Sequence, residues 1–281
     1  MAPPAESDLT VSQALLGAAR RGLARLDAQR LLLDALGRDP GDRAWLLAHD
    51  TDTLPGAAAV QFEVLCQRSL DGEPLAYLLG RQSFHGLDLL VDARVLVPRP
   101  DTETLVAWAL EQMVPGARVL DLGTGSGAIA LALKEARPDA RVVAVDASEP
   151  ALEVARLNAR RLNLDIECRP GHWLDGAGTD FDLIVSNPPY IAEGDAHLPA
   201  LAHEPRSALV AGADGLADLR QIVTSAPAHL QPGGWLLLEH GWDQAAPVRA
   251  LLRGAGFVEV ASRRDLAGIE RCSGGHWLEL G

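Results

Sequence analysis

Up to about Gly80, apolar side chains recur at steps of three and four. Leu15, Leu16, Ala19 and Leu23 form one set and Leu26, Leu31, Leu32 and Leu36 another, with Gly37 as a stop. A second group runs from Ala44 to Ala48. A third starts at Pro55, a favourable first-turn residue, and continues through Val60, Val64, Leu65 and Cys66 until Asp71-Gly72-Glu73-Pro74 interrupts it. This spacing predicts a bundle of four or five short amphipathic helices over residues 1–82. The Leu and Trp45 faces form its core, and any apolar stripe left over is a docking surface.

The pattern changes at Phe84. Phe84–Leu89 and Arg94–Val97 read as two short strands around a turn at Asp92-Ala93, giving a hairpin and linker over residues 83–100. Pro98-Arg99-Pro100 fixes an extended stretch, and Asp101 or Thr102 is expected to cap a helix running to Met113. From Ala117 onward, residues 101–281 read as one α/β domain. Apolar strands at Arg118–Asp121, Arg141–Asp146, Phe181–Ser186 and Trp235–Glu239 alternate with helices at Ser126–Arg137, Glu149–Leu162 and Gly215–Leu230. Short, nearly all-apolar strands joined by helices describe a mostly parallel sheet covered on both faces. Phe257–Val260 and His276–Leu280, the latter after Gly274-Gly275, predict an antiparallel pair at the C-terminal edge.

Composition narrows the class. The 281 residues are 48% hydrophobic and 22% charged, enough for one large domain or two modest ones and unlike a disordered tail, a collagen or a disulfide-stapled miniprotein. Twenty-five basic against 38 acidic residues leave a net charge of -13, which argues against a broad grip on a phosphate backbone, so no direct nucleic-acid binding is expected. Cys66, Cys168 and Cys272 are too widely spaced for a disulfide framework or a CxxC metal pattern and read as reduced thiols. The beginning lacks a basic and apolar signal pattern, and no run approaches the ~20 apolar residues of a membrane span, so a soluble, cytoplasmic protein is expected.

The chemistry concentrates in two places. Asp121-Leu-Gly-Thr-Gly-Ser-Gly127 lies where a strand ends and a helix begins, the position at which open α/β sheets bind ligands. Glycines alone fit a tight turn equally well, but Asp146 ends the next apolar strand, where a carboxylate can accept both hydroxyls of a ribose. A nucleoside is thereby favoured. The third glycine, Gly127, comes one residue early for a dinucleotide loop, with Ala128 at the usual position. Asp121 suits a methionine ammonium better than a pyrophosphate, so S-adenosylmethionine is favoured over a dinucleotide, and no Lys-Ser or Lys-Thr follows as in a P-loop.

The second place is Ser186-Asn187-Pro188-Pro189-Tyr190, after the Phe181–Ser186 strand. A nitrogen conjugated to a carbonyl or aromatic ring is hard to methylate because its lone pair is delocalised. The Asn187 side-chain oxygen and the Pro188 backbone carbonyl can accept its two N–H bonds and turn the lone pair outward. Tyr190 can stack on the flat group, and the prolines stiffen the turn. Orientation and placed dipoles then carry most of the catalysis. The histidines lack metal-ligand spacing, no metal is expected, and Ser186 lacks a nucleophile elbow.

With these motifs the chain resembles the class-I S-adenosylmethionine methyltransferases that carry an Asn-Pro-Pro-Tyr signature. Within them it resembles the PrmC/HemK family, the protein-(glutamine-N5) methyltransferases of peptide chain release factors. The likeness extends to Glu73–Gly80, Phe84 with Gly86, Val97–Glu103, Glu204-Pro205, Gly212–Leu216, Glu239-His240-Gly241 and Asp265–Ile269. It implies a Rossmann-like catalytic domain after a helical domain that docks the factor, and transfer to the glutamine of a Gly-Gly-Gln motif in class-I release factors. It also implies that Asp121, Gly123, Thr124, Gly125, Ser126, Gly127, Asp146, Trp173 and Asn187 serve the cofactor. Asn187, Pro188, Pro189 and Tyr190 would serve the glutamine, with Pro98, Arg99 and Glu103 closing the pocket. The chain departs from the family where an acidic residue often precedes the aromatic at Trp173; here it is His172, which puts the polar contact to adenine in doubt. The Ile191–Ala213 connection is expected to be a lid or substrate loop. Two other readings are an N-methyltransferase acting on exocyclic amines of RNA or DNA, which the acidic balance opposes, and a non-catalytic cofactor-binding scaffold.

Overall fold

The computed structural model describes residues 9–278, and the chain divides into one unit up to Gly80 and a second from Arg81. The described residues of the first unit form five helices: α1 Val11–Arg20, α2 Arg25–Ala35, α3 Arg43–Ala48, α4 Gly56–Leu70 and α5 Leu75–Leu79. Thr10 and Gln13 start α1 with a reciprocal capping box, and Gly80, at φ +68°, ends α5. The core is built from Val11, Ala14, Ala18, Leu31–Leu33, Leu46, Leu54, Phe62, Leu65 and Cys66. The inner stripe of α1 is therefore mostly small residues. Leu16, Leu26, Val60 and Val64, which the periodicity placed inward, are exposed. Alanine carries little weight in apolar spacing, so the spacing places the inner face one step away from the one the structure buries.

In the second unit, strands β1 Arg81–Phe84 and β2 Leu87–Leu90 form an antiparallel hairpin. Its turn is His85-Gly86, both at positive φ (46° and 80°), as a two-residue hairpin loop requires. This corrects the expected turn at Asp92-Ala93, because Arg94–Val97 forms no strand. Helix α6 Glu103–Gln112 follows a short 3-10 turn at Pro100–Thr102, and no side-chain cap is present. The Thr102 hydroxyl is engaged elsewhere, as described below.

The main sheet has strands β3 Arg118–Leu122, β4 Arg141–Asp146, β5 Glu167–Pro170, β6 Phe181–Ser186, β7 Leu230–Glu239, β8 Val258–Arg264 and β9 Glu270–His276. Their order is β5-β4-β3-β6-β7-β9-β8, with parallel pairing from β5 through β7 and antiparallel pairing of β9 with both β7 and β8. Helices α7 Ala128–Ala136, α8 Glu149–Leu162, α9 Ala217–Ser225 and α10 Ala245–Gly254 connect the strands. Successive strand residues feed opposite core layers. Val119, Ala144, Leu183, Val185 and Leu237 join one, while Leu120, Leu122, Val145, Ile184 and Leu236 join the other.

Several elements and boundaries differ from the sequence expectation, and helix α10 was not anticipated. Strand β5 was not anticipated, because an edge strand of half-exposed residues carries no apolar run. The expected helix over Gly215–Leu230 ends at Ser225, and β7 begins at Leu230. Gly274-Gly275 lies inside β9 rather than before a strand at His276–Leu280, part of which falls outside the described residues. A Cβ on Gly274 would stand 2.4 Å from Leu237 Cδ2 and 2.7 Å from the Leu236 carbonyl, so these glycines permit close packing and do not mark a turn.

Candidate functional site

Strand β3 pairs with β4 on one side and β6 on the other, so the chain leaves in opposite directions around its C-terminal end and opens a crevice there. Leu122 is in register with Ser186, and the Ser186 hydroxyl donates to the Leu122 carbonyl at 2.7 Å. The glycine loop and Asn187 therefore leave the sheet side by side. In the loop, Gly123 and Thr124 donate their N–H groups to the Val145 carbonyl (2.9 and 3.0 Å), and Gly125 donates to Asp146 Oδ2 (2.8 Å). Gly123, Gly125 and Gly127 all have positive φ, which favours glycine at each place. A Cβ on Gly127 would meet Leu131 and Ala155 at 3.1 and 3.3 Å, so this glycine lets the helices close together.

A cavity of about 270 Å³ lies over the loop. Its walls include Gly123, Gly125, Asp146, Ser148, Trp173, Asn187 and Pro189. Asp146 also accepts from Ser148 N–H at 2.8 Å, which leaves each carboxylate oxygen a lone pair for a further donor. Burial raises the Asp146 pKa despite these bonds. Trp173 is held at φ +52° and donates from Nε1 to Asp218 Oδ1 at 3.2 Å. Its ring lies where a Cβ on Gly123 would approach it to 3.2 Å. The glycine thus makes room for the indole, and the strained backbone holds it over the cavity.

Asp121 is placed differently from its sequence expectation. It is fully buried beneath the loop and does not line the cavity. Its Oδ2 accepts from the Thr124 hydroxyl (2.6 Å) and Ala130 N–H (3.2 Å), while Oδ1 has no partner among the described residues. Burial pushes its carboxyl up to about 7. Thr124, Ser126 and Gly127 likewise shape the loop without lining the cavity. Glu103 also lines neither this cavity nor its neighbour, because its Oε1 accepts from His85 N–H at 2.8 Å and secures the hairpin turn.

A second cavity, about 130 Å³, adjoins the first. Leu96, Asn187 and Ala208 line both, and Arg99, Pro188, Tyr190, Ile191 and Leu209 complete much of the smaller one. Asn187 is therefore the polar side chain shared by two adjacent chambers. Tyr190 donates to Glu239 Oε1 at 3.3 Å, and burial beside that carboxylate raises the phenol's pKa. The Ile191–Ala213 connection returns on itself. Ile191 N–H donates to the Leu209 carbonyl and Ala211 N–H donates to the Ile191 carbonyl, so the segment brings Leu209 and Ala208 to the wall. A wide-open groove of about 700 Å³ along Arg156–Cys168 contains none of the residues singled out by the motifs.

Several contributors escaped the sequence reading. Buried Glu204 accepts from Val97 N–H (3.0 Å) and from the Arg99 guanidinium, tying the proline segment to the returning connection. Gln244 donates to the Tyr190 carbonyl (3.0 Å) and accepts from Gly241 N–H (2.9 Å). Asp218 brings a carboxylate into the first cavity beside His172, some distance along the chain from the expected acidic position. Glu204 and Glu239 lay within strings matching the family, but spacing alone gave them no role. Among the described residues, no group of three or more His, Cys, Asp or Glu could hold a metal, and no helix is long and apolar enough to cross a membrane.

This geometry agrees with what the chain resembles. Residues 9–80 match the family model of the PrmC N-terminal domain, and residues 101–213 match that of the methyltransferase small domain. A release factor glutamine methyltransferase of Bordetella pertussis is 53% identical over 91% of this chain and 96% of its own length. One from Pseudomonas aeruginosa is 49% identical over 90% and 93%. The crystal structure of a methyltransferase from Pyrococcus furiosus shares the fold, with a TM-score of 0.53 and 23% identity over 75% of this chain and 95% of that one. From loop, signature and whole-chain similarity together, the chain belongs to the release factor glutamine methyltransferase family.

Proposed function

We infer that the protein methylates the side-chain amide nitrogen of the glutamine in the Gly-Gly-Gln motif of class-I peptide chain release factors. The observation that carries this reading is Asn187, a planar hydrogen-bonding side chain shared by a cavity with a ribose-type carboxylate and a smaller one lined by Pro188 and Tyr190. The residues of the larger cavity fit S-adenosylmethionine. Asp146 keeps lone pairs for ribose hydroxyls, Gly123 and Gly125 bring backbone close, and Trp173 offers a face to the adenine. Asp218, in the same cavity, supplies an acceptor for the adenine amine in place of the acid missing at His172. When bound, that cofactor supplies the activated methyl group.

In the smaller cavity Asn187 Oδ1 and the Pro188 carbonyl accept the two amide N–H bonds. Tyr190 covers the plane, and Arg99, Leu96 and Leu209 keep water out. This grip rotates the nitrogen lone pair out of conjugation and holds it toward the adjoining cavity. Such orientation is the main contribution a site without a strong base can make. The substrate nitrogen loses one proton as it gains the methyl group. The helical unit, with Leu16, Val60 and Val64 exposed, serves to dock the release factor.

The test uses labelled S-adenosylmethionine and an unmethylated release factor. Label is expected on the factor and absent when its Gly-Gly-Gln glutamine is replaced by glutamate. Equal labelling of both forms, or label on RNA alone, would overturn the reading.

A further inference from the structure

Among the buried carboxylates of the catalytic unit that the clamp does not use, Glu239 lies closest in the hydrogen-bond network to the signature, as the acceptor of Tyr190. Glu239 ends β7, is 1% exposed, and its Oε2 has no partner within hydrogen-bond geometry among the described residues. Its Oε1 accepts from the Tyr190 hydroxyl at 3.3 Å, and the Thr102 hydroxyl lies near enough to steady its charged form. Thr102 is in turn the acceptor for Asn187 Nδ2 at 3.2 Å. Tyr190 thus bonds this acid directly, while Asn187 bonds Thr102, whose hydroxyl stands beside it.

An amide can turn over, exchanging its oxygen for its NH2 at little cost in shape. A hydroxyl whose single proton is directed to a carboxylate can only accept from its other side. It therefore selects the NH2 of Asn187 and leaves Oδ1 for the cavity, where an acceptor is required. The geometry assigns Thr102 and Glu239 as positioning residues that fix which end of the Asn187 amide faces the substrate glutamine. This rests on the function inferred above and deepens it.

The arrangement accounts for two local features. Thr102 stands at the start of α6 without capping it, although Thr is a good capping residue, because its hydroxyl is used for Asn187. A carboxylate is retained where burial is costly, at the end of a strand whose neighbours Leu236, Leu237 and Leu238 are fully buried.

The test compares wild type, Thr102→Val, Thr102→Ser and Glu239→Gln for turnover of the release factor, with KM for the factor and melting temperature measured alongside. Valine keeps the shape of threonine without the hydroxyl, and serine keeps the hydroxyl. Thr102→Val is expected to lower kcat about tenfold or more with KM within threefold. Thr102→Ser is expected to restore kcat to within about threefold of wild type. Glu239→Gln is expected to lower kcat without lowering the melting temperature, a split that a merely structural role would not give. Folded Thr102→Val and Glu239→Gln proteins turning over within twofold of wild type would overturn the assignment, as would a Thr102→Val loss that serine does not recover. A wild type that leaves every release factor unmethylated would overturn the functional reading, and the assignment with it.

Discussion

Gly215 offers a severe test of how the signature turn is held. It sits at φ +71°, and a Cβ built there would stand 2.3 Å from the Tyr190 carbonyl oxygen and 2.8 Å from Gln244 Nε2. Gly215→Ala therefore meets three costs. The left-handed backbone costs a residue with a Cβ roughly 1–2 kcal/mol, overpacking of a filled site costs about 1–3 kcal/mol, and loss of the Gln244 bond to Tyr190 costs about 1 kcal/mol. Together they approach about 4 kcal/mol if the site stays rigid, a melting shift on the order of 10 °C for a unit this size. The alternative is relief by movement. To restore ordinary contact the Tyr190 carbonyl must retreat by about an ångström, and a displacement of that size at a transfer site costs on the order of 10²-fold in rate. Thermal melting and steady-state methylation of a release factor read the two responses. Gly215→Ala is expected to show at least one of them in full. A variant with unchanged melting temperature and unchanged kcat would refute the claim that Gly215 and Gln244 hold the turn.

Other predictions probe the two cavities and the buried acids. Asn187→Ala removes an acceptor needed at the point of transfer and should lower kcat by about 10²-fold, roughly 2.7 kcal/mol of barrier, with little change in melting; steady-state kinetics check it. Asp146→Asn should weaken S-adenosylmethionine binding by about 10–100-fold in calorimetry, since it replaces a charged acceptor. Asp121 and Glu239 are both pushed up to about 7 from ordinary carboxylate values near 4. Each binds its proton more tightly when folded than when unfolded. Their contribution to stability is therefore full below about pH 4 and is lost as pH rises through about 7. Denaturant titrations across that window should show a fall that Asp121→Asn and Glu239→Gln each make shallower.

Much of the sheet was legible because its strands are apolar on both faces. Arg141–Asp146 and Phe181–Ser186 were read to their ends, and so was the helix Glu149–Leu162, whose Ser148 cap accepts from Ala151 N–H through its hydroxyl. The glycine loop, Asp146 and Asn187 were legible because each residue type answers a definite chemical demand at a strand end. What escaped was determined by tertiary packing. The hairpin turn went to His85-Gly86, where a histidine accepts positive φ, and glycines inside β9 record the crowding of Leu236 and Leu237. Asp121 looked like a ligand group from its position in the motif. The structure adds that its Oδ2, deep at the end of β3, also supports the loop through Thr124 and Ala130. Glu204, Gln244 and Thr102 act across long stretches of chain, and no local spacing announces a partner 85 residues away, as Thr102 has in Asn187.

The central claim is that the cavity beside Asn187 accepts a protein glutamine. It is tested most directly by intact-mass and peptide mass spectrometry of an unmethylated release factor after incubation with this protein and S-adenosylmethionine, with total RNA as a parallel substrate. The account predicts one added methyl group on the Gly-Gly-Gln glutamine and unmodified RNA. Methylated RNA beside an untouched release factor would contradict it.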